Sequence, residues 1–190
     1  MIDPCPPPVQ ALARRLEEVA SESNVASLCQ AVKRVLVEEL GQQRVRVPQE
    51  YLEPTPDGYA RRCLFKDPEG RFSVVAMVWA AGQGTPLHDH AGSWCVECVY
   101  QGRIRVTSYD LTQEEQDRVS FREIETIEAG VGGAGALIPP FEYHTLSNPF
   151  EETAVTVHVY RGELTWCHAF HPTDDDGWYT RERHDLVYNA

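Results

Sequence analysis

The chain has 190 residues, 42% of them hydrophobic and 24% charged, and its 17 basic and 29 acidic residues give a net charge of −12. This length and composition are typical of one globular domain, and no apolar run is long enough for a transmembrane helix. A negative field repels nucleic acid and anionic lipid, so neither is predicted as a partner. The N-terminus lacks the basic and apolar stretches of a signal peptide, so the six cysteines are predicted to be reduced thiols of a cytoplasmic protein.

Two amphipathic helices are predicted ahead of a β region. Residues 1–8 are rich in proline and are predicted to form a flexible arm. Over 9–22 and 25–40, apolar residues recur at helical spacing, and Asn24 is suited to cap the second helix. We therefore predict a single domain over 1–190, with the arm at 1–8, the helices within 9–41 and a β-barrel over about 59–171.

The hydrophobic period changes to two residues from about residue 59, which is typical of strands. The clearest runs are 72–79, 95–100, 103–109 and 153–160, and Gly, Pro or acidic clusters separate them. Many short strands after two helices predict a mainly β fold, a barrel or sandwich that the helical pair covers.

His88-Asp89-His90 is the first motif that could carry chemistry. Residues two apart on a strand point to the same face, so the two imidazoles could hold one metal ion. Taken alone, the pattern also fits two surface histidines. Its surroundings contain further spaced residues, namely Gly82, Gly102, Gly133, Pro139, His144 and Asn148.

Together these residues resemble the two motifs of the cupin superfamily. The resemblance implies a double-stranded β-helix, which is a small antiparallel β-barrel, and a metal site formed by His88, His90 and His144. Cys95 stands where most cupins have a metal-binding Glu, and Phe141 stands where the second motif has a Gly. Three neutral histidines leave the +2 charge of an ion uncompensated, and this charge favours an anionic thiolate as substrate.

The replacement of that Glu by Cys resembles the cysteine dioxygenase family of thiol dioxygenases. Residues 88–95 match the family's H-D-H-x2-S-x-C run, and 167–170 match its C-H-A-F sequence. Residues 156–160 match its Ser-x-His-x-Tyr element, with Thr in place of Ser, and 59–61 match its Tyr-x-Arg element. The resemblance covers about 59–171 and implies Fe(2+) as cofactor, with a small thiol and O2 as substrates.

The family's hydrogen-bonded relay corresponds to Thr156, His158 and Tyr160, and its tyrosine would hydrogen-bond oxygen bound at the iron. These residues alternate, so one strand aims all three at one face. Cys95 and Tyr160 correspond to a pair that some members join as a thioether. Five residues separate Cys95 from the last histidine of the motif, so a bulge at Gly92 is predicted to turn it inward. The other interpretations are an inert buried thiol for Cys95 and an ordinary core tyrosine for Tyr160.

Arg61 corresponds to the residue that binds the substrate carboxylate, and Tyr59 lies beside it. A guanidinium offers a planar fork for a carboxylate, although Arg61 also fits a surface ion pair. Members that act on 3-mercaptopropionate tend to carry Gln at this position, so Arg61 favours cysteine.

The predicted reaction is the addition of O2 to the sulfur of L-cysteine, which gives cysteine sulfinate. The alternatives are a dioxygenase of 3-mercaptopropionate or mercaptosuccinate, and a non-catalytic metal-binding cupin. Three histidines bind Zn(II), Ni(II) or Cu(II) at least as tightly as Fe(II), so iron is expected from the redox chemistry and not from affinity. The sequence leaves the oligomeric state open.

Overall fold

The computed structural model describes residues 6–189. The helical elements are a 3₁₀ turn Pro7–Val9, α1 Gln10–Val19, α2 Val25–Leu36, a π-helical turn Val37–Gly41 and a 3₁₀ turn Gln49–Tyr51. The Asn24 side chain accepts a hydrogen bond of 2.9 Å from the Ser27 backbone N–H and so caps α2, because it satisfies one of the N–H groups that a helix leaves open. Of the predicted arm, residues 1–5 lie outside the described residues and Pro7 already begins the first turn.

Within residues 6–189 eleven strands form two antiparallel sheets. Their bounds are β1 Ala60–Lys66, β2 Phe72–Trp79, β3 Leu87–His88, β4 Cys95–Gln101, β5 Arg103–Glu114, β6 Val119–Gly130, β7 Ala134–Leu137, β8 Tyr143–Ser147, β9 Ala154–Arg161, β10 Trp166–Pro172 and β11 Trp178–Asp185. One sheet has the order β1-β2-β9-β4-β7, and the other, β10-β11-β6-β5-β8-β3, closes on itself. The predicted fold class, a mainly β cupin behind an N-terminal helical pair, is confirmed.

Both faces of the five-stranded sheet are buried. Its outer face packs against the helices, where Leu16 and Leu36 meet Val157 in one apolar cluster. Its inner face packs against the six-stranded sheet, where Trp79 and Leu146 belong to a second cluster. Strands buried on both sides need apolar residues at nearly every position, which is why β2 and β9 lack the alternation of a surface strand. A polar side chain on the inner face therefore lies inside the barrel.

The chain passes from one sheet to the other between His90 and Cys95, so the prediction of a bulge there is wrong. β3 ends at His88 in the closed sheet, whereas β4 begins at Cys95 in the other. A turn joins them, in which Ala91 and Gly92 have φ of 52° and 75°. This left-handed backbone interrupts a strand and suits glycine best. Cys95 faces the interior because it begins a new strand.

The β region continues past the predicted end at residue 171. β11 was not predicted, because most of its side chains are exposed and polar and its sequence therefore lacks a hydrophobic face. It pairs with β10 and contributes to the rim of the cavity described below. Among residues 6–189, no helix is both long and apolar enough to cross a membrane.

Candidate metal centre and substrate cavity

The three predicted metal ligands converge inside the barrel. His88 lies at the end of β3, His90 follows two residues later, and His144 lies on β8 directly opposite His88. Their ligand atoms all lie within 4.8 Å of one another, and the Nε2 atoms of His88 and His144 are 3.1 Å apart. Nitrogens about 2.1 Å from one ion and at right angles to each other are separated by about 3 Å. The spacing therefore fits one divalent ion.

The imidazoles of His88 and His144 are held in the neutral form that binds metals. Burial, followed by the neighbouring imidazoles, lowers the pKa of His88 to about 3 and that of His144 well below its usual range. The Nδ1 atom of His88 lies 3.1 Å from the Pro86 carbonyl oxygen, which can only accept, so Nδ1 carries the proton. The Nε2 lone pair of His88 is thereby directed at the centre.

Glu142 holds the third imidazole and was missed by sequence reasoning. Its carboxylate accepts a 2.9 Å hydrogen bond from the His90 backbone N–H and lies 3.2 Å from His90 Nδ1. A carboxylate on the second nitrogen orients a ligating imidazole and makes it more basic. The residue follows the exposed Phe141 in a short connection, and its sequence surroundings carry no signal of burial.

We expect Glu142→Gln to lower the Fe(II) affinity of the protein about 10–100-fold, because the neutral amide polarises the His90 imidazole less. Anaerobic titration against a competing chelator measures this. The matched control is Glu125→Gln, an exposed glutamate on β6, which should leave the affinity unchanged. Equal affinity in the wild type and in Glu142→Gln would show that the carboxylate does not support the ligand.

Asp89, the residue between the two histidines, anchors the motif to β10. Its Oδ1 accepts from the backbone N–H groups of Ala91 and His168, at 3.1 and 2.8 Å. Its Oδ2 lies 2.7 Å from His168 Nδ1. The aspartate thus ties the turn after His90 to the neighbouring strand.

A cavity of about 370 Å³ opens onto the centre. Its wall includes His88, His90, Tyr160, Met77 and Arg61. The volume lies at the small end of the range for ligand sites, which suits a small metabolite.

The guanidinium of Arg61 is buried at this cavity, and two backbone carbonyls hold it in place. Its Nη2 donates to Leu164 O at 3.2 Å, and its Nη1 lies 3.5 Å from Val187 O. The group also lies over the Tyr188 ring, 5.2 Å from the centroid. A guanidinium has five N–H donors, of which these carbonyls use two. Arg61 is thus an oriented cation and not the surface ion pair considered above.

Tyr59 lies beside Arg61 on the cavity wall and stacks on Trp79, with ring centroids 4.7 Å apart. Burial raises the pKa of Tyr59, and the charge of Arg61 opposes that shift, so the phenol stays neutral. The two residues predicted to bind the substrate therefore lie together on the cavity wall.

Thr156, His158 and Tyr160 face the interior from β9, but their hydrogen bonds differ from the predicted relay. Thr156 Oγ1 lies 2.8 Å from His158 Nε2. The Tyr160 hydroxyl donates to Met77 Sδ at 3.6 Å, and its ring stacks on His158 with centroids 5.7 Å apart. Both nitrogens of His158 face other groups, so the link to Tyr160 is a ring contact and not the expected hydrogen bond.

Cys95 lies directly opposite Tyr160 across the β4–β9 pair. Its Sγ is 3.7 Å from His158 Nδ1. Burial, followed by the charge of Glu97, raises the pKa of the Cys95 thiol well above its usual range, and burial raises the pKa of Tyr160 as well. The structure thus brings the two groups together as neutral side chains. Their thioether stays a prediction.

Glu97 lies on the same face of β4 as Cys95, and sequence reasoning missed it as well. It is 8% exposed, and its Oε2 lies 3.5 Å from His158 Nδ1. Burial raises the pKa of this carboxyl to about 7. The ligand atoms of Cys95, Glu97 and His158 lie within 4.8 Å of one another, as a buried polar cluster behind Tyr160.

Comparison with known proteins identifies relatives of this chain. The family model for cysteine dioxygenase type I matches residues 20–173. Cysteine dioxygenase type 1 of Rattus norvegicus is 26% identical over 110 residues, which cover 57% of this chain and 54% of the relative. The match thus spans about half the length of that protein. The human protein of the same name is 24% identical over 168 residues, which cover 80% of this chain and 82% of the relative.

Solved structures with similar folds are more distant. A Klebsiella pneumoniae protein with a double-stranded β-helix domain has a TM-score of 0.49 at 16% identity, and the match covers 64% of this chain and 86% of that one. A cupin 2 conserved barrel domain protein from Salinispora arenicola has a TM-score of 0.43 at 18% identity, over 61% and 85% of the two chains. The family model, in contrast, spans most of the chain, and it includes all three histidines of the centre. The chain belongs to the cysteine dioxygenase type I family.

Proposed function

We propose that this protein is a non-haem Fe(II) thiol dioxygenase that adds both atoms of O2 to the sulfur of L-cysteine. The observation that carries the proposal is the convergence of three imidazoles at one centre, together with a buried guanidinium and a tyrosine on the small cavity that opens onto it. The relatives named cysteine dioxygenase type 1 support cysteine as the substrate. The reaction, RS⁻ + O2 → RSO2⁻, balances without an external reductant.

His88, His90 and His144 would hold the iron. When bound, Fe(II) would supply a common binding site for the thiolate and O2. It would also supply the redox capacity that O2 chemistry requires. Because all three ligands are neutral, the site keeps a net positive charge that attracts a thiolate. The carboxylate of Glu142 acts on the site through the His90 imidazole.

Arg61 is the proposed carboxylate-binding residue. Arg61 is 4% exposed as a residue, so its attraction for a carboxylate is screened less than at a surface. It supplies local positive charge in a protein of net charge −12. Two carbonyls fix its plane, so it orients the substrate as well as attracting it.

Tyr160 is the proposed hydroxyl donor at the reacting groups. It lines the cavity, and its ring lies 6.0 Å from that of His90. Since its raised pKa keeps the phenol protonated, it can donate a hydrogen bond to a developing negative charge on oxygen. Thr156 and His158 stand behind it as positioning residues, and a thioether with Cys95 would restrain its ring further.

The test is O2 uptake by the iron-loaded protein with L-cysteine, with sulfinate quantified by mass spectrometry. We expect one O2 consumed for each sulfinate formed. Faster turnover of 3-mercaptopropionate or mercaptosuccinate would show that this thiol, and not cysteine, is the substrate. The proposed reaction, thiol dioxygenation, would then still hold. No turnover of any of these thiols at verified iron occupancy would contradict the proposal and favour a non-catalytic metal-binding cupin.

Cytoplasmic location and one domain over 1–190 stay predictions.

A further inference from the structure

Four buried polar side chains form a line across the inner face of the five-stranded sheet. Trp79 Nε1 donates to Thr156 Oγ1 at 3.0 Å, Thr156 Oγ1 lies 2.8 Å from His158 Nε2, and His158 Nδ1 lies 3.5 Å from Glu97 Oε2. Each of the four residues is 8% exposed or less. Strand pairing sets the line, since Glu97 on β4 lies directly opposite His158 on β9.

The two ends of the line determine where the protons lie. The indole of Trp79 is donor-only, so Thr156 Oγ1 accepts there and its single hydroxyl proton is available for His158 Nε2. Burial lowers the pKa of His158 well below its usual range, so the imidazole is neutral and has one N–H. With Nε2 accepting, that N–H is at Nδ1, which faces Glu97.

The carboxylate of Glu97 needs this donor. Its Oε2 is buried and has no hydrogen-bond partner at normal geometry. An unpaired buried acceptor destabilises the folded protein, because it has lost its hydrogen bonds to water without replacing them. The Sγ atom of Cys95 is 3.7 Å from the same nitrogen, but sulfur is the weaker acceptor. Glu97 Oε2 and His158 Nδ1 are 3.5 Å apart, so a side-chain rotation that brings them about 0.5 Å closer would complete a hydrogen bond of ordinary length.

We infer that Glu97 is a positioning residue, which accepts the Nδ1–H of His158 and so holds the imidazole in one tautomer and one plane. That plane matters because the Tyr160 ring stacks on it at an interplanar angle of 17°. Glu97 thereby sets the direction of the Tyr160 hydroxyl in the cavity. The kinetic consequence of this inference rests on the proposed dioxygenase function.

The first test determines which nitrogen of the His158 imidazole carries the proton, by ¹⁵N NMR of the iron-free protein. Measurement at pH 8 keeps Glu97 ionised, because it lies above the pKa of about 7, while His158, Cys95 and Tyr160 stay neutral. We expect the wild type and Glu97→Gln, whose amide oxygen still accepts, to show a protonated Nδ1 only. Glu97→Leu should give a mixture of tautomers. A protonated Nε2 in the wild type, or an unchanged spectrum in Glu97→Leu, would overturn the inference.

The second test is steady-state kinetics of the iron-loaded variants with L-cysteine. Glu97→Leu should lower kcat about tenfold with KM unchanged, Glu97→Gln should restore most of kcat, and Glu125→Leu on the exposed face of β6 should match the wild type. An unchanged kcat in Glu97→Leu would overturn the positioning role. If the wild type itself does not turn over, the proposed function fails, and the tautomer measurement still decides the role of Glu97.

Discussion

Replacement of His144 by alanine is expected to abolish sulfinate formation and to weaken Fe(II) binding by more than about 100-fold, since loss of a ligand's supporting partner alone costs about 10–100-fold. His144 faces His88 across the β3–β8 pair, with the two Nε2 atoms 3.1 Å apart. Its removal leaves only two imidazole donors at the centre. Iron content and the rate of sulfinate formation measure the effect.

The control for this variant is His184→Ala, because His184 is an exposed histidine at the rim of the same cavity. It should bind iron and turn over as the wild type does. Since His144 is completely buried, the unfolding temperature of iron-free His144→Ala is measured as well, to separate loss of the site from loss of the fold. A folded His144→Ala protein that still binds iron tightly and makes sulfinate would disprove the assignment of this ligand.

Arg61→Gln should lower kcat/KM for L-cysteine about 10–100-fold, which corresponds to the loss of one charge-assisted interaction of about 1.5–3 kcal/mol. The reason is that the buried guanidinium supplies the positive charge that meets the substrate carboxylate. The measurement compares L-cysteine with cysteamine, which keeps the thiol and the amine but has no carboxylate.

Cysteamine serves as the internal control, and its kcat/KM should change little in Arg61→Gln. The shorter side chain withdraws donors from the carbonyls of Leu164 and Val187, so some loss of stability is expected, and it should affect both substrates alike. An equal loss of kcat/KM for the two thiols would refute a carboxylate-binding role and leave Arg61 as a residue that holds the C-terminal segment.

The parts of the molecule that were predictable from sequence depend on local spacing. The helical period sets α1 and α2, and a spacing of two places His88 and His90 together. The third ligand, His144, came from the resemblance to a family motif and not from the physics of the residues. β11 was not predictable because a strand with exposed polar side chains has no hydrophobic face to reveal it.

Several partners in the site were not predictable because they depend on pairings between distant segments. Glu142 supports a histidine 52 positions earlier, and Leu164 O holds a guanidinium 103 positions earlier. From sequence alone, Glu97 is expected to be a solvated glutamate in an alternating strand. The neighbouring residues do not indicate that both faces of its sheet are buried. The His158–Tyr160 contact differs because both imidazole nitrogens already face other groups. Nδ1 faces Cys95 of β4, and Nε2 faces Thr156 of the same strand, whose hydroxyl accepts from Trp79 of β2.

The change of sheet at Ala91 and Gly92 divides the site into two halves with separate supports. His88 and His144 belong to β3 and β8 of the closed sheet, and His90 follows β3 by two residues. Arg61, Met77 and the residues of β9 belong to the other sheet. Substitutions on β1 or β2 can therefore reshape the wall that meets the organic part of the substrate without disturbing ion coordination. Such an architecture allows relatives to diverge in the thiol they accept while they keep one metal chemistry, and it locates the residues where that divergence should occur.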